Sequence, residues 1–267
     1  MIFKQGFYFG NQLVQLQASF QTSADYYHML RAALQVKQCQ SSFVRIGRHN
    51  DGGYLMLPPA PGGIAYSFGI CDDVSWDSAM ADCGYQVYMY DHTIDELPEH
   101  RSEFHFFRKG IASSTEVQPP LYPLSYYLAM NGHVHQQHMI LKMDVEGAEW
   151  GFFLQTPSAI LAQFDQVVLE LHNLVHEHSA MQTNQMLYGL QKLQETHDLV
   201  HLHPNNCGCL VEVEGRPYAD VLEATFVYRG GAEPAEMNPA LTLPHALDEP
   251  NDPQRPEIVL GQWNVES

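Results

Sequence analysis

From Ala65 onward the chain alternates short apolar runs with turn residues and with longer stretches of helical period. Runs at 65–70, 86–90, 104–108, 138–143, 166–171, 199–202 and 224–228 read as strands, and segments around 74–82, 122–131, 149–155 and 181–195 read as helices between most of them. That succession predicts an α/β fold, a doubly wound parallel sheet with helices on both faces. Ahead of it, residues 1–42 read as a helical lead-in, with Ser23 as candidate N-cap and Tyr26, Tyr27, Leu30, Ala33 and Leu34 at helical spacing. Phe43-Val44-Arg45-Ile46-Gly47 and Tyr54-Leu55-Met56-Leu57 are strand-like runs around the turn-rich His49-Asn50-Asp51-Gly52-Gly53, which predicts a hairpin opening a main domain over 43–229. Residues 230–267 form a Pro-rich acidic tail whose composition builds little core; an irregular segment folded back on the domain is expected.

Charge narrows the partners. Thirteen Lys plus Arg against thirty-one Asp plus Glu give a net charge of −18, which argues against a nucleic-acid backbone or an anionic membrane and favours small molecules or neutral groups. With 45% hydrophobic residues in 267 the chain can fill a sizeable core. It carries neither a basic start followed by an apolar core nor an apolar run long enough to span a bilayer, so a cytoplasmic protein is expected. Its five cysteines are odd in number and scattered, which suits reduced thiols.

Candidate chemistry gathers where strands end. The 138–143 run passes directly into Asp144-Val145-Glu146-Gly147-Ala148-Glu149, so Asp144 stands at a carboxyl tip, where open α/β sheets place their ligand crevice. Helix capping by Asp144 and Glu146 is the competing explanation. The first strand ends in Ser67-Phe68-Gly69-Ile70-Cys71-Asp72-Asp73. Gly69 allows backbone to approach a ligand there, but the three-glycine dinucleotide signature is missing and the acids would repel a pyrophosphate. A nucleoside without phosphates that carries a cation suits the turn better. Asp91, at the end of the second strand and about twenty residues past Gly69, has the offset of a ribose-binding acid. Read alone, Gly69 is a turn glycine and Asp91 a solvated acid. Glu170-Leu171-His172-Asn173 and His201-Leu202-His203-Pro204-Asn205-Asn206 follow the fifth and sixth strands. Alternation puts Glu170 and His172 on one face, although with fifteen histidines any single one is ordinarily a hydrogen-bonded core or surface residue.

Together these segments resemble a known family. Val44-Arg45-Ile46-Gly47, Asn50-Asp51-Gly52-Gly53-Tyr54, Tyr66-Ser67-Phe68-Gly69, Asp72-Asp73-Val74-Ser75-Trp76-Asp77, Tyr90-Asp91-His92 and above all Leu141-Lys142-Met143-Asp144-Val145-Glu146-Gly147-Ala148-Glu149 are similar to the FkbM-like class I methyltransferases, over roughly 43–229. The resemblance implies a seven-stranded Rossmann-like sheet, S-adenosyl-L-methionine as methyl donor, and O-methylation of a hydroxyl on a sugar, glycan or natural-product-like small molecule. It implies that Ser67, Phe68, Gly69 and Asp73 shape the methionine side of the donor pocket, that Asp91 holds the ribose, and that Gly110, Ile111 and Ala112 lie near the adenine.

Methyl transfer from a sulfonium needs in-line alignment and a partly deprotonated nucleophile. Asp144, Glu170 and His172 are the catalytic candidates, and two routes compete for them. They could hold Mg²⁺ or Mn²⁺, which lowers the pKa of a hydroxyl; or His172 acts as a general base with an ordinary pKa near 6.5, oriented by a carboxylate. The base is placed slightly ahead, because the ligands come from different strands, Asp144 from one and Glu170 with His172 from another, and the sequence does not show that they reach one point. Gly53, Tyr54, His203 and Asn206 are the candidate substrate contacts. The alternatives are a nicotinamide-dependent oxidoreductase or epimerase and a non-catalytic ligand-binding module on the same fold.

Overall fold

A computed structural model describes residues 3–9, 12–18, 24–112, 118–175, 179–230 and 236–264. All seven expected runs join one sheet, as β1 (Gly63–Phe68), β2 (Tyr85–Tyr90), β3 (Phe104–Phe107), β4 (Met139–Met143), β5 (Phe164–Leu171), β6 (His197–Pro204) and β7 (Leu222–Tyr228). Their spatial order is β6-β7-β5-β4-β1-β2-β3; β7 runs antiparallel to both neighbours and the other pairs are parallel. The order reverses between β1 and β4, which opens a crevice at their carboxyl ends. Register aligns the strand ends there: Met143 pairs with Phe68 on one side and Leu169 on the other. Gly69, Asp144 and Glu170 therefore emerge side by side.

Both faces of the sheet are covered, which is why β4 is buried at every position and is apolar apart from Lys142. Period-2 alternation sends Tyr66, Phe68, Leu141 and Met143 to one side, against α1 (Ala24–Ala33), α3 (Leu124–Met130), α4 (Glu149–Gln155) and α6 (Ala180–Leu193). Ala65, Val87, Ile140 and Val168 face the other side, against α2 (Ser75–Asp82) and the hairpin Val44–Ile46/Tyr54–Met56. The short α5 (Ser158–Leu161) follows α4.

Two expectations need correction or extension. Of the lead-in, only Ala24–Ala33 is helical; Phe3–Phe9 and Gln12–Ala18 pair as antiparallel strands. The hairpin Leu210–Val213/Arg216–Ala219, inserted between β6 and β7, joins them in a four-stranded sheet. Apolar and polar residues roughly alternate in both early runs, and Gly6 is a poor helix former. The candidate N-cap Ser23 lies outside the described residues. The tail does fold back, but it adds more core than its composition suggests. Leu243, Ile258, Leu260 and Trp263 are buried, the Trp263 indole N–H donates to the Leu34 carbonyl at 2.7 Å, and the Arg31 guanidinium lies 4.5 Å over its ring. Glu236–Met237 pairs with Lys37–Gln38, and Thr242–Leu243 pairs with Gly261–Gln262. A few well-placed anchors hold an otherwise polar segment.

Candidate active site

A cavity of about 720 Å³ opens at the carboxyl edge of the sheet, within the size range of small-molecule sites. Its floor is the turn after β1. Gly69 has φ +78°, and a Cβ there would lie 1.6 Å from the Asp144 carbonyl oxygen, so only glycine lets the β1 and β4 ends approach this closely. The Lys142 ammonium donates to the Gly69 carbonyl at 2.8 Å and pins the turn from below.

Asp91 organises the same turn. Its Oδ2 accepts the Ile70 and Cys71 N–H groups at 2.8 and 3.0 Å, and its Oδ1 accepts the Thr93 N–H and hydroxyl at 2.7 and 2.6 Å. Burial pushes this carboxyl up, but the hydrogen bonds from Cys71, Thr93 and Ile70 outweigh it and hold it below its ordinary value. Cys71, with φ 52°, carries the left-handed backbone that aims these amides at Asp91. Asp73, also on the wall, accepts from the Ser75 N–H and hydroxyl and stands 3.5 Å from the Arg48 guanidinium. Phe68, Tyr90, Ile111, Leu121, Val145 and Ala148 supply apolar wall, with Gly110 between His92 and Leu121.

At the other end three donor-bearing side chains converge. One ligand atom each from Asp144, Glu170 and His172 lie within 4.8 Å of one another. His172 Nε2 stands 3.7 Å from Asp144 Oδ1, from Glu170 Oε2 and from Glu146 Oε2. Glu149, fully buried, sets the geometry: its Oε1 accepts the His172 backbone N–H at 2.7 Å and lies 3.4 Å from Nδ1, while Oε2 accepts the Gly147 N–H at 2.9 Å. One carboxylate thus ties the Asp144–Gly147 turn to the end of β5 and turns Nε2 toward the acids. Asn205 donates to Glu170, and the Tyr54 hydroxyl donates to Asp144 Oδ2 at 3.4 Å.

Burial lowers the His172 pKa, but Glu149, Glu170 and Asp144 together raise it to about 9. Burial, reinforced by the Asp144 charge, pushes the Glu170 carboxyl well above its ordinary range. Either route has to take the proton off this ring, since a base must be free to accept one and a cation ligand must have lost its own. The premise that put the base ahead does change, since the three residues reach one point. Carboxylate oxygens and one imidazole nitrogen in this arrangement fit a hard divalent cation.

The remaining sequence candidates divide cleanly. Phe68, Gly69, Asp73, Asp91, Gly110, Ile111 and Tyr54 line the cavity. Ser67 and Ala112 are buried behind it, Ser67 beneath α2 and Ala112 as a carbonyl acceptor for Gln155. Gly53 lies inside its hairpin turn, its carbonyl accepting from Arg45 at 2.6 Å. His203 and Asn206 do not line the cavity. His203 is buried between Glu223 and Glu257, at 3.0 and 3.3 Å, and Asn206 binds the tail through the Asp252 backbone. Their neighbours Asn205 and Cys207 reach the cavity instead. Sequence reasoning also passed over Glu149 and Lys142 as site residues, although both stand in the motif around Asp144.

Seven strands in this order, with the last reversed and a glycine turn facing an acid at the next strand end, define a class I methyltransferase fold. The Methyltransferase FkbM domain model matches residues 58–195, more than half of the chain, and the chain belongs to that family, whose methyl donor is S-adenosylmethionine. This sets the nicotinamide reading aside. Comparison with curated proteins finds no match. Among solved structures the chain is similar to a fibrillarin/Nop5p complex, at 9% identity and TM-score 0.37, covering 64% of this chain and 74% of that one. It is similar to a TehB-like SAM-dependent methyltransferase from Corynebacterium glutamicum, at 11% identity and TM-score 0.34, covering 65% and 83%. It is also similar to the glycopeptide N-methyltransferase MtfA complexed with sinefungin, at 9% identity and TM-score 0.30, covering 63% and 81%. Likenesses this remote say nothing about the acceptor. Among the described residues no helix is long and apolar enough to cross a membrane.

Proposed function

We propose that the protein is a cation-assisted O-methyltransferase acting on a hydroxyl of a small molecule or glycan in the cytoplasm. The observation that carries this reading is the convergence of Asp144, Glu170 and His172 at one end of the cavity whose other end is the Gly69 turn. S-adenosylmethionine, when bound, supplies an electrophilic methyl group on a positively charged sulfur. The protein's part is to place it. Gly69 admits the donor close to the sheet, Asp91 holds the turn amides in place, and the apolar residues around Ile111 accommodate a base. The acids of the wall, Asp72, Asp73 and Asp144 among them, outnumber its Arg48 and Lys142 and favour a cationic ligand. Asp144, Glu170 and His172 would hold Mg²⁺ or Mn²⁺, and a hydroxyl on such an ion loses its proton far more readily than in water. Tyr54, Asn205 and Cys207 border the acceptor end.

The test uses purified protein, S-adenosylmethionine and a panel of sugars and phenols, with release of S-adenosylhomocysteine as the signal. Release that requires a hydroxylated acceptor, stops with EDTA and returns with Mg²⁺ is expected. Mn²⁺ binding, read directly by paramagnetic resonance, should disappear in His172→Ala. Chelator-insensitive turnover would return the argument to an unassisted base, and turnover restricted to amines would overturn O-methylation.

A further inference from the structure

The C-terminal segment reaches back to the loop that walls the cavity. Glu249 accepts from His49 Nδ1 at 2.9 Å and from the Asn50 N–H at 3.1 Å; the Asn50 side-chain amide donates to the Pro250 carbonyl at 2.8 Å; the Asp51 N–H donates to the Asn251 carbonyl at 3.3 Å. Asn251, 4% exposed, is itself fixed, donating from Nδ2 to Glu223 Oε1 at 2.5 Å and standing 3.5 Å from Asp51 Oδ1. Glu223 belongs to β7, so the strap is anchored to the sheet. The tail's apolar anchors, Leu243 on one side and Ile258, Leu260 and Trp263 on the other, lie outside the 249–251 stretch.

The loop so held sits on the donor turn. Gly52, with φ +85°, lies so close to Asp73 that a Cβ would come within 1.9 Å of Oδ2. Arg48 donates to the Asp51 carbonyl at 2.6 Å while facing Asp73, and the Ser75 hydroxyl donates to the Gly52 carbonyl at 3.4 Å. The chain then continues directly into Tyr54 against Asp144. Yet the loop is exposed, with the His49 side chain 85% accessible, and it contains adjacent glycines. Left alone it would be mobile, and binding a ligand against it would carry the entropy of ordering it.

We propose that residues 249–251 are a strap that preorganises the donor cavity, with Glu249 and Asn251 as positioning residues that act through the 49–52 loop. This rests on the donor-site reading given above. The test is calorimetry of the full chain with S-adenosylhomocysteine. Glu249→Ala and Asn251→Ala should each bind about three- to tenfold more weakly, the size of one or two net hydrogen bonds. Glu249→Gln, which keeps an acceptor for the Asn50 N–H, should recover most of the loss. Asn264→Ala, which loosens the tail far from the cavity by removing its bonds to Val36 and Asn238, should lower the melting temperature and leave affinity unchanged. Hydrogen exchange over 49–53 should quicken in the two strap variants whether or not ligand is present. Wild-type affinity in both strap variants, or a loss in Asn264→Ala that tracks its melting temperature, would overturn the proposal. Failure of the wild type to bind S-adenosylhomocysteine would instead overturn the donor reading, and unchanged loop exchange would then overturn the strap as well.

Discussion

Replacing Asp91 by Ala separates two roles that the same carboxylate can play. As a ribose contact alone it would affect only ligand affinity. As the structure shows it, Asp91 accepts from Ile70, Cys71 and both donors of Thr93, so its loss strikes the fold of the turn first. Cys71 and Thr93 are exposed, and water can replace the acceptor there; Ile70 is 3% exposed, and its N–H would be stranded. A hydrogen bond to a charged acceptor is worth about 1.5–3 kcal/mol, and the solvent-rescued ones add a few tenths each, which puts the cost at about 2–4 kcal/mol. For a chain of this size that lowers the melting temperature by about 4–7 °C, with weaker S-adenosylhomocysteine binding as a consequence. The pH dependence has a definite sign. The folded pKa of Asp91 lies below its ordinary 3.8, so its stabilisation is complete above that value and fades as pH falls through the folded pKa. Wild type and variant should differ fully at pH 7 and converge in strong acid. Thermal melts across pH, paired with calorimetry, measure both effects. An Asp91→Ala protein that melts like the wild type while binding ligand weakly would refute the turn-organising role and restore the simpler ribose contact.

Two further outcomes follow from the geometry. Gly69→Ala adds a left-handed-backbone cost of about 1–2 kcal/mol and a methyl group 1.6 Å from the Asp144 oxygen, so the β1 and β4 ends must part; calorimetry should show loss of both S-adenosylhomocysteine and Mn²⁺ binding in a folded protein, and retained binding would contradict the tight approach. His203 is pulled down by burial but raised to about 10 by Glu223 and Glu257, which places its folded pKa above an unfolded value near 6.5. The stability difference between wild type and His203→Gln should therefore be constant below pH 6.5 and shrink as pH rises through about 10 in denaturant titrations. A difference that stays constant to pH 10.5 would show that the two glutamates do not hold the charged ring.

The central strands could be located from the sequence because a strand covered on both faces is mostly apolar, as Met139–Met143 is, and such runs are local facts. The acids at their tips were legible for the same reason: a run that stops abruptly at Asp144 or Asp91 marks its own end, and register between parallel strands then brings the ends together. Which residue beyond a strand end turns into the crevice is not local. His203 and Asn206 look like ligand contacts in one dimension, but Glu223 from β7 and Asp252 from the tail claim them, leaving Asn205 and Cys207 to face the cavity. Glu149 reads as a first-turn helix acid until β5 supplies the His172 N–H that it accepts. The early strands at 3–18 owe their pairing partly to a hairpin some two hundred residues away. The tail depends on Arg31, Leu34 and Val36 for anchorage, and the loop at 49–52 depends in turn on that tail. Local pattern determined where the backbone is extended or helical and which acids stand at the edge. Only the tertiary structure decided which of those groups share a cavity, because a buried donor or acceptor takes whatever partner the fold brings to it, however distant in the chain.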